Sequence, residues 1–359
     1  MTTTDKEDLF AYLAENDEVK KSWYLARQFV LNQLEGWEKD NKRHHYIFEG
    51  ESRDMIAVAR QVALVSHYPD FDELNGKNRT ILTFVVNIQS PEAFLKKLSQ
   101  KAYFWNLIKY CRYTIFEKGR DAKTIHEDSF LDIEIEIRTD ASYDDSNATL
   151  ITEDMISTFS ESAIIEYWID VRKAKMVNSV YKIGATLNNL PSDDPNTEER
   201  YNHALDVFCY QMDKRKVETF WNEDSLDKLD SIGIRNKLSN VFCADCFESR
   251  LRDNGNLIDH AKCEHARWNV EKLIMGYRPL NEVERYKEET LFGREKKDYR
   301  NNLKDGKVAN DGTPVHVDLC SYSELNRVDP GSMKYDCFLM LAFKHILEKT
   351  TNKNENGKD

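Results

Sequence analysis

Between Cys263 and Leu280 the chain places an imidazole, an indole, a carboxamide and an ammonium at i, i+3, i+4 and i+7: His265, Trp268, Asn269 and Lys272. On a helix these four share a face. That equipment suits a small polar ring system: the indole stacks on the ring, and the other three hold its polar or anionic edge. Ala266, Val270, Leu273, Ile274 and Tyr277 form a separate apolar stripe, and Gly276 and Pro279 mark the helix end. Taken by itself, the polar face reads more readily as a core tryptophan beside a solvated edge.

Two other constellations have residue types able to do chemistry. Cys243 and Cys246, followed by Cys263 and His265, carry the donor atoms of a four-ligand zinc set. Leu238, Phe242 and Cys246, however, recur at i, i+4 and i+8, an apolar helical stripe, and no glycine turn separates the paired cysteines. Two core cysteines are favoured over a metal site. The turn from Phe48 to Asp54 follows the first clear strand, where a dinucleotide-binding fold holds a pyrophosphate on backbone N–H groups. Gly50, Ser52 and Arg53 are the candidate cofactor-binding residues there, opposed by Glu49 and Glu51. A Rossmann-like scaffold without its cofactor is favoured over intact NAD binding.

These groups need elements to position them. Apolar residues at helical spacing run from Leu9 to Leu34, so residues 1–40 read as helices. His44 to Phe48 is strand-like and leads into a helix carrying Met55, Ile56, Val58, Val62 and Val65. A second strand, Thr80 to Val86, precedes a helix begun by Pro91 and another from Tyr103 to Tyr110. Residues 130–138 alternate apolar with charged, and an edge position in an otherwise parallel sheet suits them. Thr139 to Asn147 reads as an acidic loop and residues 151–255 as largely helical. The expected architecture is an α/β Rossmann-like domain over 41–150, an all-α connector over 151–254, an all-α domain over 255–350 and a disordered tail over 351–359.

Residues 264–278 resemble the signature helix of the RyR domain, the repeat named after ryanodine receptors, with approximate pattern His-Glu-x-Trp-x-x-x-Lys-x-x-x-Gly-Trp. His265, Trp268, Lys272 and Gly276 match; Ala266 stands for the usual Glu and Tyr277 for the usual Trp. His316 to Leu325, then Lys334, Tyr335 and Asp336, resembles the family's second motif, with Val317 replacing a proline. The likeness covers about residues 255–347, and Asn281 to Pro314 is longer than the family's turn. Leu238 to Leu251 and, more weakly, Tyr46 to Val86 are similar to the helix and the TrkA-N-like Rossmann domain that precede RyR domains in bacterial proteins. The resemblance implies a small helical binding module with an aromatic-lined cleft for adenine nucleotides, found in bacteria beside signalling and antiviral-defence components. It implies ligand-binding roles for His265, Trp268, Asn269, Lys272, Tyr277, Arg278, His316 and Tyr322, with Trp268 as purine platform and Lys272 or Arg278 for a phosphate.

Composition narrows the class. In 359 residues, 51 Lys and Arg face 63 Asp and Glu, a formal charge of −12 that disfavours a duplex nucleic acid partner. Lys272, Arg278, Arg294, Lys296, Lys297 and Arg300 nevertheless cluster in the carboxy-terminal part, where an anion could bind. Seven scattered cysteines suggest a reducing, cytoplasmic setting. No signal peptide and no apolar run near the ~20 residues of a membrane span is read, so no direct membrane insertion is expected. The expectation is a cytosolic, non-enzymatic sensor or adaptor that binds a nucleotide-derived small molecule and acts on an effector protein, without a metal or a resident cofactor. Two alternatives stand beside it: an NAD-binding oxidoreductase-like protein drawing on Asp54, His67 and Asp140, and a structural homo-oligomeric subunit assembled through helices over 1–40 and 155–175.

Overall fold

A computed structural model describes residues 5–39, 44–86, 91–100, 106–139, 146–184, 214–223, 232–252, 255–304, 312–329, 331–333 and 335–342. Its strands are β1 Lys6–Glu7, β2 His45–Glu49, β3 Thr80–Val85, β4 Arg112–Phe116, β5 Lys123–Ile125, β6 Ile133–Arg138, β7 Thr149–Thr152 and β8 Ile169–Asp170. The pair β1 and β8 is separate; the other six form one sheet in the order β5, β4, β6, β3, β2, β7. Neighbours run parallel except for the β4–β5 hairpin at one edge.

The described helices are α1 Asp17–Lys39, α2 Arg53–Val65, α3 Pro91–Leu98, α4 Glu153–Ser162, α5 Arg172–Gly184, α6 Lys214–Glu223, α7 Ile232–Asp245, α8 Phe247–Arg252, α9 Leu257–Ile274, α10 Glu282–Thr290, α11 Gly293–Lys304 and α12 Tyr322–Val328. Residues 335–342 are also helical. The coarse layout is therefore an α/β amino-terminal region followed by a helical carboxy-terminal region. Among the described residues no helix is long and apolar enough to cross a membrane.

Strand β2 is apolar without alternation, Tyr46, Ile47 and Phe48 all buried, because parallel neighbours and helices cover both of its faces. Strand β6 does alternate, yet it lies inside the sheet between β3 and β4, not at an edge. Its polar side chains find protein partners instead of water. Glu134 faces Arg112 at 3.4 Å, and Glu136 accepts from the Thr83 hydroxyl at 3.0 Å and from Arg138 at 3.0 Å. The helix expected up to Tyr110 is, in its described part, only the 3-10 turn Asn106–Lys109; residues 101–105 lie outside the described residues. The α/β region also extends past residue 150, since β7 pairs with β2 and leads directly into α4.

Helix α2 starts at Ser52, whose hydroxyl accepts the Met55 N–H at 3.1 Å, and is buried from Met55 to Val65. Helix α1 lays Trp23, Phe29, Val30 and Leu34 into the same core, so its apolar stripe is spent within the chain rather than left for a second copy. In the other segment expected to mediate assembly, residues 155–175, Ile164 and Tyr167 are exposed. One apolar core runs from the sheet, α1 and α2 through Leu238 and Phe242 of α7 to Val270, Leu273 and Ile274 of α9. Each such side chain contributes about 1.5–3 kcal/mol when fully buried. The stripe of α9 thus packs on the α/β region, and the two regions share a core. A second cluster joins Val177 and Val180 of α5 to Tyr322, Leu325, Cys337 and Phe338.

Candidate functional site

At the carboxyl ends of β2 and β7, the crevice in which open α/β sheets receive ligands, stand Gly50, Ser52 and Glu153. Glu153 accepts the Ser52 backbone N–H at 3.0 Å through Oε1 and the Ser52 hydroxyl at 2.6 Å through Oε2. Gly50 has φ 140°, and a Cβ on it would lie 2.2 Å from Glu153 Oε1. A carboxylate of the chain itself therefore occupies the position a phosphate takes at such a helix start. Arg53 pairs with Glu18 at 2.9 Å. The candidate cofactor-binding residues Gly50, Ser52 and Arg53 are thus each met by a carboxylate of the chain itself. Of the residues of the oxidoreductase alternative, the two described ones are engaged with separate partners. Asp54 accepts the Ser22 hydroxyl, His67 is sealed against Asp132 at 2.8 Å, and Asp140 lies outside the described residues.

The carboxy-terminal motifs do converge. Helix α9 begins at a capping box in which Asn256 accepts the Asp259 N–H at 3.0 Å and Asp259 accepts the Asn256 N–H at 3.4 Å. It ends at Gly276, whose φ of 85° turns the chain. Beyond that turn Arg278 N–H donates to Pro314 at 3.0 Å and His316 N–H to Arg278 at 3.1 Å. This short parallel bridge sets His316 against Trp268, ring centroids 4.7 Å apart and planes at 83°. Between the bridged strands, residues 281–304 form the α10 and α11 hairpin, which rests on Tyr299, Leu303, Val315 and Val317.

A cleft of about 470 Å³ opens beside Trp268, a volume in the range of small-molecule sites. Its walls come from α5 (Asn178, Tyr181, Lys182), α7 (Asn236, Ser239, Asn240) and α9 (His265, Trp268, Lys272), completed by Lys304, His316, Asp318 and Tyr335. The His265 ring lies 5.8 Å from Trp268 at 18° to it. Lys272 Nζ sits 5.5 Å from the Trp268 ring centroid and 5.7 Å from that of Tyr277.

The two cleft histidines are driven in opposite directions. Burial opposes charge on His265, but the Asp336 and Cys320 side chains outweigh burial and raise its pKa to about 10; its Nε2 also lies 3.0 Å from the Cys320 carbonyl. Burial likewise disfavours charge on His316, and the cations Lys304, Lys272 and Arg300 reinforce the effect, holding it well below the usual imidazole range. Neutral His316 accepts the Asp318 N–H through Nδ1 at 3.3 Å. Burial, together with Asp329, pushes the Asp318 carboxyl up to about 6. Lys304 makes no ion pair or hydrogen bond with a described residue. Lys272 donates to Glu271 at 2.9 Å.

Beneath the cleft lies a fully buried charge network that the apolar stripe alone did not announce. Arg267 donates to both Glu264 oxygens at 2.8–3.0 Å and to Glu271 at 2.7 Å, and Ser239 donates to Glu271 at 2.8 Å. The signal available in the sequence is the spacing of Glu264, Arg267 and Glu271, three and four residues apart along one helix.

Of the residues expected at the site, His265, Trp268, Lys272 and His316 line the cleft. Four others do not. Asn269 turns away and donates to Cys320 O at 2.8 Å, joining His265 on that carbonyl. Tyr277 is buried, its hydroxyl accepting from Arg235 at 3.3 Å. Arg278 forms a fork with Glu284, both bonds 2.7 Å. Tyr322 packs edge-on to His265 with its hydroxyl 3.8 Å from Cys337 Sγ. Five of the six expected clustered cations are likewise paired: besides Lys272 and Arg278, Lys296 and Arg300 meet Glu288, and Arg294 faces Asp298. Cys243 and Cys246 are buried in the core, Cys246 with its thiol on the Leu64 and Phe242 carbonyls. Lys304, Asp318 and the wall supplied by α5 and α7 are the features that motif reading missed.

Fold and cleft together define a class: a mostly parallel α/β sheet joined through a shared core to a helical region that carries a cationic, aromatic-lined cleft. No family model, curated protein or solved structure matches the chain.

Proposed function

We propose that the chain is a cytosolic sensor or adaptor that binds a nucleotide-derived small molecule in the cleft beside Trp268, with residues 255–350 acting as a module of the RyR type. One observation carries the reading: in a chain of net charge −12, an aromatic platform, flanked edge-on by a neutral His316, shares its cleft with the ammonium of Lys304, which has no ion pair or hydrogen bond with a described residue. A flat ring stacks on the indole while an attached anion reaches Lys304. Helix α9 is both a wall of the cleft and part of the core shared with α2, so occupancy is transmitted to the α/β region through packed side chains rather than across a loose linker.

Titration calorimetry of the full chain with AMP, GMP and their cyclic forms tests this. Trp268→Ala weakens the bound nucleotide about tenfold or more, the loss of ~1–3 kcal/mol of stacking. Absence of binding by every member of the panel, or affinity indifferent to that substitution, would remove the reading.

A further inference from the structure

The cleft has a second wall with a chemistry of its own. On α5 and α7 it presents Asn178, Asn236, Ser239 and Asn240, neutral groups facing the same space as Trp268 and Lys304. Most of the hydrogen-bonding capacity on this wall is committed. Ser239 donates to Glu271 at 2.8 Å, and the Tyr181 hydroxyl reaches Glu264 at 3.5 Å. Asn240 differs. One of its amide hydrogens goes to Asn178 Oδ1 at 3.3 Å, and its Oδ1 has no partner among the described residues. It is 4 % exposed and lines the cleft, so this oxygen is available to a ligand there, while Asn178 Nδ2 behind it is buried with no hydrogen-bond partner among the described residues.

We infer that Asn240, held by Asn178, reads the edge of the ligand's ring, accepting from an exocyclic amine and donating its second amide hydrogen to the adjacent ring nitrogen. A carboxamide supplies acceptor and donor side by side, the pairing it makes with amino-substituted purines. The ligand class is thereby narrowed to an amino-purine nucleotide, with its phosphate at Lys304. The site is composite: the platform comes from α9, the edge reader from α7, the anion contact from α11. This assignment rests on the nucleotide reading above.

Titration of the full chain with AMP and with purine riboside 5′-monophosphate, which lacks the exocyclic amine, separates the two. AMP is expected to bind about tenfold more tightly, one hydrogen bond's worth in a water-poor site. Asn240→Leu brings the ratio of the two affinities near one, and Asn178→Leu lowers it in the same direction. The ratio, unlike affinity itself, does not respond to a general loss of stability, and the wild-type comparison stands even where a variant fails to fold. Equal wild-type affinities, or a tenfold ratio preserved in Asn240→Leu, overturn the assignment while leaving the nucleotide reading intact. If neither probe binds the wild type, this assignment falls, and the nucleotide reading falls with it when GMP and the cyclic forms also fail to bind.

Discussion

The Glu153 carboxylate bridges the backbone N–H and the hydroxyl of Ser52, at 3.0 and 2.6 Å, across the mouth of the crevice between β2 and β7. It satisfies an otherwise orphaned donor at the start of α2 and places a negative charge at the positive end of that helix. Glu153→Ala is expected to lower stability by about 1–2 kcal/mol, read as a lower urea midpoint with an unchanged slope. A variant as stable as wild type would show that the bridge contributes nothing to folding.

Arg267 is the centre of the buried network, and its loss leaves Glu264 without a cation and Glu271 with Lys272 alone. Arg267→Met should cost about 3–5 kcal/mol. Replacing all three charges at once, with Glu264→Gln, Arg267→Met and Glu271→Gln, should cost markedly less, because no carboxylate without a counter-charge then remains buried and Lys272, which loses Glu271, borders the cleft. Equal losses for the single and triple variants, measured by guanidinium unfolding, would contradict this.

His265 makes stability depend on pH on the alkaline side. Its folded pKa, about 10, lies above the unfolded value near 6.5, so the folded state holds its proton more tightly. That contribution is complete below about pH 6.5 and is lost as pH rises towards 10. The difference in unfolding free energy between wild type and His265→Gln should shrink steadily from pH 7 to pH 10.

Asp318 sets a second dependence, on binding. With a folded pKa of about 6, its carboxyl is largely neutral below that pH and charged above it, beside the lysine that would meet an anion. Affinity for a cyclic nucleotide, whose phosphodiester does not titrate in this range, is expected to fall as pH rises from 5 to 7.5. Asp318→Asn should abolish the slope. A slope unchanged by that substitution assigns the effect to another group.

Much of the fold was legible because it rests on local pattern. Strand β2, helix α2 and strand β3 follow from apolar runs and from the polar turn at Glu49 to Arg53. The place of β6 was not legible, because alternation reports one polar face and not whether water or Arg112 and Thr83 cover it. Within the site, His265, Trp268 and Lys272 could be grouped by helical spacing, and His316 by its motif. Asn269 shares that spacing yet faces Cys320, since the packing of the 316–322 segment, set by contacts distant in sequence, decides which flank of the helix is covered. Arg278 shows the same limit from the electrostatic side: a cation in sequence was paired with Glu284 in space. Asn240, on the helix upstream of the two motifs, and Lys304, between them, enter the cleft only through tertiary packing.

The buried acid–base run along α9 has a thermodynamic consequence for recognition. The run is tied to other elements by Ser239 on Glu271 and Tyr181 on Glu264, and the Cys320 carbonyl is held by two side chains of the same helix, so a small rotation or slide of α9 would break several hydrogen bonds at once. The indole of Trp268 is therefore held in place before any ligand arrives. Little conformational entropy is left for the platform to lose on association, and the free energy of stacking passes to affinity nearly undiminished.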